Sequence, residues 1–374
     1  MSRATLLKGA LWLTVATFLS KVLGSVFRIP LQNIAGDEVL GIFSVVYPVY
    51  MSVLTLTVAG IPLAISKLIS AARAEGRIAD IYAIYRTAAI LAIAFGLVGF
   101  SALFFFADTI ASFLGGSLVT YSVIAVSFTL IFAPYMAVYR GFFQGYEDMK
   151  PTAVSQVLEQ FARVIVILAA ALFLTSRSYP LELVSGGVMI GSVVGVLFSL
   201  VYLLLVYIRR KPFQALTEKR YSFSQFRCWT KRILAVSLPI CFGALTMALL
   251  NVVDSLTVPT QLLAQGKTER EAAFLYGIYG RGQALVQIAV VFASALILPL
   301  IPAITKALKA KNVAEASKMM SDATTLTHLT SWPAALGLAA LTIPVNFVLF
   351  GDTLGSDVIF ILAFSSLFTA MSVL

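Results

Sequence analysis

Lys21 and Arg28 lie inside a long apolar stretch, FLSKVLGSVFRIPLQ over residues 18–32. Seven residues make almost two helical turns, so a helix projects both cations from one face, with Gly24 beside them and Gln32 continuing the stripe. A cation near the middle of a bilayer costs roughly 2.5–3.5 kcal/mol on insertion scales. Such a helix therefore turns these groups toward protein or a watery cavity, and the chemistry they offer there is anion binding. The alternative is that both snorkel or pair within the bundle, and spacing alone leaves the two readings open. Arg281 has the same character, about two turns into a later apolar stretch, with Gln283 and Gln287 nearby and no acidic partner close in sequence. Arg163 differs, because Glu159 stands four residues before it on the same helical face, the spacing of an internal ion pair. Lys67 falls near the end of its span and is expected to snorkel. Asn251 and Asp254 are candidate cation ligands, unless Asp254 pairs with one of the three unpartnered cations.

The elements that must hold these residues follow from composition. The 374-residue chain is 60% hydrophobic and 12% charged, with a mean hydropathy of +0.95. Those values exclude a soluble domain and imply an all-α polytopic membrane protein. Ten helices are expected, at about 8–34, 40–71, 82–107, 118–143, 152–175, 182–208, 229–258, 273–304, 318–349 and 357–374. Prolines inside these spans, such as Pro48, Pro134, Pro239 and Pro333, mark expected bends. Arg3 and Lys8 before the first apolar run resemble a signal peptide, but no small-residue cleavage site closes it, so it reads as a retained helix. Cys228, Cys241 and the single histidine, His328, form no metal pattern, and both cysteines read as structural.

The net charge of +10 is distributed as a topology signal, not as a nucleic-acid footprint. One set of alternate connections carries 19 of the 27 basic residues, among them Arg73, Arg77, Arg140, Lys150 and the run from Arg209 to Arg232. The opposite set holds only Arg177, Lys267 and Arg270. By the positive-inside rule the N-terminus and the basic connections are expected to be cytoplasmic, with some attraction to anionic lipid heads. The basic stretch 209–232 reads as a linker between a six-helix lobe, 1–208, and a second lobe, 233–374. A weak repeat supports two lobes: Gly41-Ile42-Phe43 leading to IPLAISK, and Gly277-Ile278-Tyr279 leading to LPLIPAITK. On that count the second lobe, with four helices, is two short. The chain stops within an apolar run, so further helices are expected beyond it.

Between the fourth and fifth spans stands RGFFQGYEDMKPTAVSQVLEQFARV, Arg140 to Val164. Pro151 suits the first turn of a helix, where its missing N–H costs nothing. Thr152, Gln156, Glu159 and Arg163 then form a polar stripe that lines either a cavity or a helix–helix seam. This motif resembles that of the stage V sporulation protein B and MurJ-like group of polysaccharide-type exporters. That group belongs to the multidrug/oligosaccharidyl-lipid/polysaccharide (MOP) superfamily, and SKVLGSVFR resembles its opening basic motif. The resemblance covers essentially the whole chain. It implies a MATE-like, two-lobe flippase fold with a V-shaped alternating-access cavity.

The implied activity is flipping of a lipid-linked cell-wall precursor, lipid II, carried on undecaprenyl pyrophosphate, from the inner to the outer leaflet of a bacterial cell membrane. Lys21, Arg28 and Arg281 match the cavity-facing basic positions. Lys21 stands where arginine is common, so it meets phosphate as a point charge and not as a bidentate clamp. The implied partners are the lipid-linked oligosaccharide pyrophosphate, membrane lipids and cell-wall synthesis proteins, with no nucleic acid. No cofactor and no metal are expected, although some members are implied to use membrane potential or a Na+ or H+ gradient. No nucleotide loop, HExxH or hydrolytic acid pair is present, so no enzyme is expected. Competing readings are a flippase for another lipid-linked polysaccharide, an organic-cation exporter, which would favour intramembrane carboxylates, and a non-transporting sporulation or cell-wall scaffold.

Overall fold

The computed structural model describes residues 3–210, 221–297, 304, 307 and 312–372. Every regular element among them is helical. Helix α1 (Arg3–Val26) runs almost without interruption into α2 (Arg28–Val58), because Phe27 keeps helical angles and still accepts from the Leu31 N–H at 3.1 Å. The reversal comes later, at Gly36, with φ 84° and ψ 175°. That region is open essentially to glycine alone. Residues Leu11–Ala74 form a continuous apolar run of 64 residues, about 96 Å as one helix. A bilayer core is about 30 Å thick, so Gly36 divides that run into the first and second expected spans. A second break at Ala59–Gly60 starts α3 (Ile61–Ala74), with Pro62 in its first turn.

The remaining spans fall close to their expected places: α4 (Ile78–Phe105), α5 (Ala107–Phe113), a 3₁₀ turn (Ser117–Val119), α6 (Thr120–Ser127), α7 (Thr129–Gly145), α8 (Met149–Ser176) and α9 (Leu181–Arg210). The linker is shorter than the expected 209–232: residues 211–220 lie outside the described residues, and from Phe223 onward the stretch is already helix, α10 (Phe223–Ala264), followed by α11 (Glu269–Ile297). The ninth span is bent by 76° between α12 (Val313–Ala340) and α13 (Thr342–Phe350), just ahead of Pro344. Helix α14 (Ser356–Ser372) follows. Side chains such as Leu172, Phe198, Leu250 and Phe368 stay exposed, as a lipid-facing surface requires.

Helices α1, α8 and α9 pack in series, with α6 also against α9, while α3 and α4 pack on α7. Helix α11 packs against α12 and α14 and also lies along α2. Helix α10 lies along α2, α3 and α4, although it follows the linker. The α2–α11 crossing is reciprocal. A Cβ added to Gly41 would overlap the Ala273 carbonyl, and one added to Gly277 would overlap the Asp37 carbonyl. The same offset separates Gly41 from Gly277 and Asp37 from Ala273, as expected where a pseudo-two-fold axis relates two copies of a unit. The LPLIPAITK end of the second copy, apart from Ile304, lies outside the described residues.

Candidate anion-binding cavity

Two adjoining cavities open between these helices. The first, about 410 Å³, is lined by Thr17 and Lys21 of α1, Arg140 of α7, Gln156 and Glu159 of α8, and Gln287 of α11. The second, about 280 Å³, is lined by Arg28, Tyr47, Asn251, Asp254, Tyr276 and Tyr279, among others. Tyr47 and Gln287 border both, so the two are neighbouring chambers. The first lies toward the end where α7 stops and α8 starts, and the second toward the end where α11 starts.

In the first chamber Glu159 accepts from Arg140 Nη2 and from Arg163 Nη2, each at 2.8 Å. Arg140 also donates to Ser155 Oγ and Ser199 Oγ, both at 3.0 Å. Thr17 donates to Gln156 Oε1 at 3.2 Å, tying α1 to α8. The polar stripe of α8 therefore serves both purposes that its periodicity left open. Gln156 and Glu159 face the cavity, whereas Thr152 and Arg163 are buried in the seams. The expected Glu159–Arg163 pair is present, with Arg140 as an additional member. Among the described residues the Lys21 ammonium has no hydrogen-bond or ion-pair partner.

In the second chamber Arg28 is only 6% exposed. It rests near the faces of Phe43 and Tyr47, 5.9 and 6.0 Å from their ring centroids. Its Nε has no hydrogen-bond partner, and no carboxylate lies within ion-pair distance among the described residues. Asp254 accepts from the Tyr279 hydroxyl at 3.0 Å, and that hydroxyl accepts from Gln283 Nε2 at 2.8 Å. Among the described residues Asp254 is thus held by a tyrosine and not by a cation. Asn251 lines the same chamber, and no group of three His, Cys, Asp or Glu residues able to hold a metal ion occurs among the described residues.

One sequence expectation is corrected by this geometry. Arg281 lines neither chamber. It is 0% exposed and grips Asp37 through Nε and Asp352 through Nη1, at 2.6 and 2.7 Å. Its partners are 244 and 71 positions away, which is why no acid near it in sequence revealed them. Gln32, for which a cavity-facing and a structural role were both open, takes the structural one: it lines neither chamber and donates to Asp37 Oδ2 at 3.3 Å. Arg140, Tyr47, Tyr276 and Tyr279 were not anticipated as lining residues. The signal for the tyrosines was present: Tyr276, Tyr279, Gln283 and Gln287 recur at steps of three, four and four, one face of α11. Arg281 is two residues from both Tyr279 and Gln283, about 200° around the helix, so it points away from that face.

The sequence model of a family described as polysaccharide biosynthesis protein matches residues 6–308. The chain belongs to this family. It is 30% identical over 366 residues to the uncharacterized membrane protein YabM of Bacillus subtilis, covering 98% of this chain and 68% of that one. It is 28% identical to the lipid II flippase MurJ of the same organism, covering 93% and 66%, and 30% identical to its stage V sporulation protein B, covering 84% and 60%. The chain thus spans about two thirds of the length of these relatives. Among solved structures it is similar to an inward-facing MATE transporter of the MOP superfamily, with a TM-score of 0.67 at 15% identity over 95% of this chain and 78% of that one. The fold of this polysaccharide biosynthesis family member is that of MOP transporters, and it is a multi-pass membrane protein.

Proposed function

We propose that the protein is a flippase that moves a lipid-linked glycan diphosphate, with lipid II as the leading candidate, from the inner to the outer leaflet by alternating access. The observation that carries this reading is the pair of cations without carboxylate partners, Lys21 and Arg28, in adjoining intramembrane chambers. A diphosphate and its sugars cannot cross hydrocarbon unaided, while the polyprenyl tail can stay in lipid. Cations and amides in a cavity replace the lost headgroup hydration. Release requires that affinity differ between the inward- and outward-open states, since a ligand shifts such an equilibrium only through differential binding.

Support for a moving part comes from the end where α11 begins. There Arg281 bridges to Asp37 across the α2–α11 crossing, Asn33 Nδ2 donates to the Leu349 carbonyl at 2.8 Å, and Arg270 pairs with Glu38 at 3.4 Å. This reading makes that set of contacts a clasp that closes one end while the Lys21 chamber stays open toward the other. The lobes 1–208 and 233–374 are the proposed moving bodies, with the N-terminus in the cytoplasm. Membrane potential or a cation gradient is the proposed driving force, with Asn251 and Asp254 as the residues to test for cation binding. Cell-wall synthesis proteins are the proposed partners.

The test is outer-face accessibility of lipid II in cells depleted of their own flippase and expressing this protein at matched membrane levels. Restoration by wild type and loss with Lys21→Ala and Arg28→Ala are expected. Restoration by wild type and both variants alike would remove the cationic mechanism, and no restoration by wild type would remove lipid II as substrate.

A further inference from the structure

The second chamber is chemically unlike the first. Around the first, Glu159 is already matched by two guanidiniums, and Lys21 leaves a surplus of positive charge. The second holds one cation and one anion that do not meet. Arg28 stands buried with Nε unpartnered, and Ser44, on the same wall, has a hydroxyl without a partner. Asp254 is fixed through Tyr279 and Gln283, and Tyr276 lies within electrostatic reach of both Arg28 and Asp254. Tyr47, Tyr276 and Tyr279 add ring faces and hydroxyls, while Pro48 and Met51 supply an apolar side. Rings beside amides and a carboxylate suit a sugar or short peptide, which offers C–H faces together with hydroxyl and N–H donors.

A buried guanidinium without a counter-ion is strongly unfavourable, so this site is completed by an anionic oxygen group that the ligand brings. The diphosphate has its own cationic surplus beside Lys21. We infer that the second chamber is a headgroup subsite selective for a glycan or glycopeptide bearing a carboxylate, with that carboxylate on Arg28 and the headgroup's own donors on Asp254. The inference rests on the proposed function and names the substrate class of the same cavity. Selection follows from asymmetry: a neutral headgroup of similar size leaves Arg28 desolvated and unpaired, whereas an acidic one pairs it.

The probes are two short-chain polyprenyl diphosphates, one carrying an N-acetylhexosamine and the other the matching hexosaminuronic acid. Their binding to the protein in nanodiscs is measured at fixed salt. Wild type is expected to prefer the acidic lipid by about tenfold or more, the scale of one charge-assisted interaction. Arg28→Gln should bring the two affinities within about twofold and Arg28→Lys should keep a preference, while Lys21→Ala weakens both lipids alike. Equal wild-type affinity for the two lipids overturns the headgroup subsite and leaves the flippase reading standing. Binding of neither lipid overturns both. The wild-type ratio decides the matter by itself where Arg28→Gln does not fold.

Discussion

At Glu159 one carboxylate holds two guanidiniums, and the balance of the first chamber turns on it. Removing one member of a buried ion pair leaves the others desolvated, at a cost of about 3–5 kcal/mol. Glu159→Gln is therefore expected to lower the unfolding temperature of the detergent-solubilised protein markedly. Lys21 is exposed in the chamber, so Lys21→Ala should leave that temperature almost unchanged, within about 0.5 kcal/mol of stability. Equal effects of the two substitutions would mean that Lys21 is structural. This contrast also marks the limit of reading cations from sequence. Lys21 and Arg28 were legible because hydrocarbon penalises any charge, and Glu159–Arg163 because four residues close one helical turn. Arg281 was misassigned because its acids come from α2 and from the connection after α13, which only the tertiary fold brings to it. Arg140 reads in sequence as a topology charge because it lies close to a helix end, and nothing in its own helix shows that Glu159 of α8 reaches it.

The α2–α11 crossing sets what the clasp can do. Backbone meets backbone at Gly41 and Gly277, so a side chain at either position must push the helices apart. Overpacking of this kind costs about 1–3 kcal/mol, enough to move a two-state population roughly five- to 150-fold. Gly277→Val is expected to lengthen the distance between spin labels at Asp108→Cys and Lys267→Cys in a Cys228→Ser background. An unchanged distance distribution would show that this end does not open at the crossing. The clasp should also be insensitive to pH in the ordinary range. Its hydrogen bond with Arg281 holds the Asp352 carboxyl below the usual carboxylate value, so the folded protein keeps it ionised. A depressed folded value means that this contribution is complete above the ordinary value of about 3.9 and is lost only as pH falls through the lower folded value. The same label distance should therefore stay constant from about pH 5 to pH 8, and a change within that window would assign the clasp to another titrating group. Helix boundaries themselves were legible to within a few residues, because twenty apolar residues between polar ends admit little else in a bilayer. The Gly36 reversal falls in the expected gap between residues 34 and 40, and the bend at Leu341 lies just ahead of Pro344 inside an expected span; only their angles were not legible, since hydropathy does not encode local backbone conformation.

The whole molecule joins these pieces through its charge asymmetry. Among the described residues Arg73, Arg77, Lys150, Arg209, Arg210, Arg227 and Lys231 gather at one end, against Arg177, Lys267 and Arg270 at the other. The reciprocal contact of α2 with α11 extends the weak repeat seen in sequence, because a duplicated unit related by a two-fold axis along the membrane normal makes the same contact twice. The Lys21 chamber lies nearer the basic end, since Arg140 near the end of α7 and Gln156 near the start of α8 line it. If that end is cytoplasmic, the open chamber faces the leaflet where an anionic lipid-linked precursor would enter, and the clasp faces the leaflet of release. Single cysteines decide this in intact cells with a membrane-impermeant maleimide. In a Cys228→Ser background, with Cys241 buried, Ser178→Cys and Gly266→Cys should label without permeabilisation, and Gly76→Cys and Ser222→Cys only after it. All four sites lie in connections or at a helix cap, so burial in the bilayer cannot mimic protection. The opposite pattern would invert the protein, put the unpartnered Lys21 on the wrong side for substrate entry, and turn the proposed export into uptake.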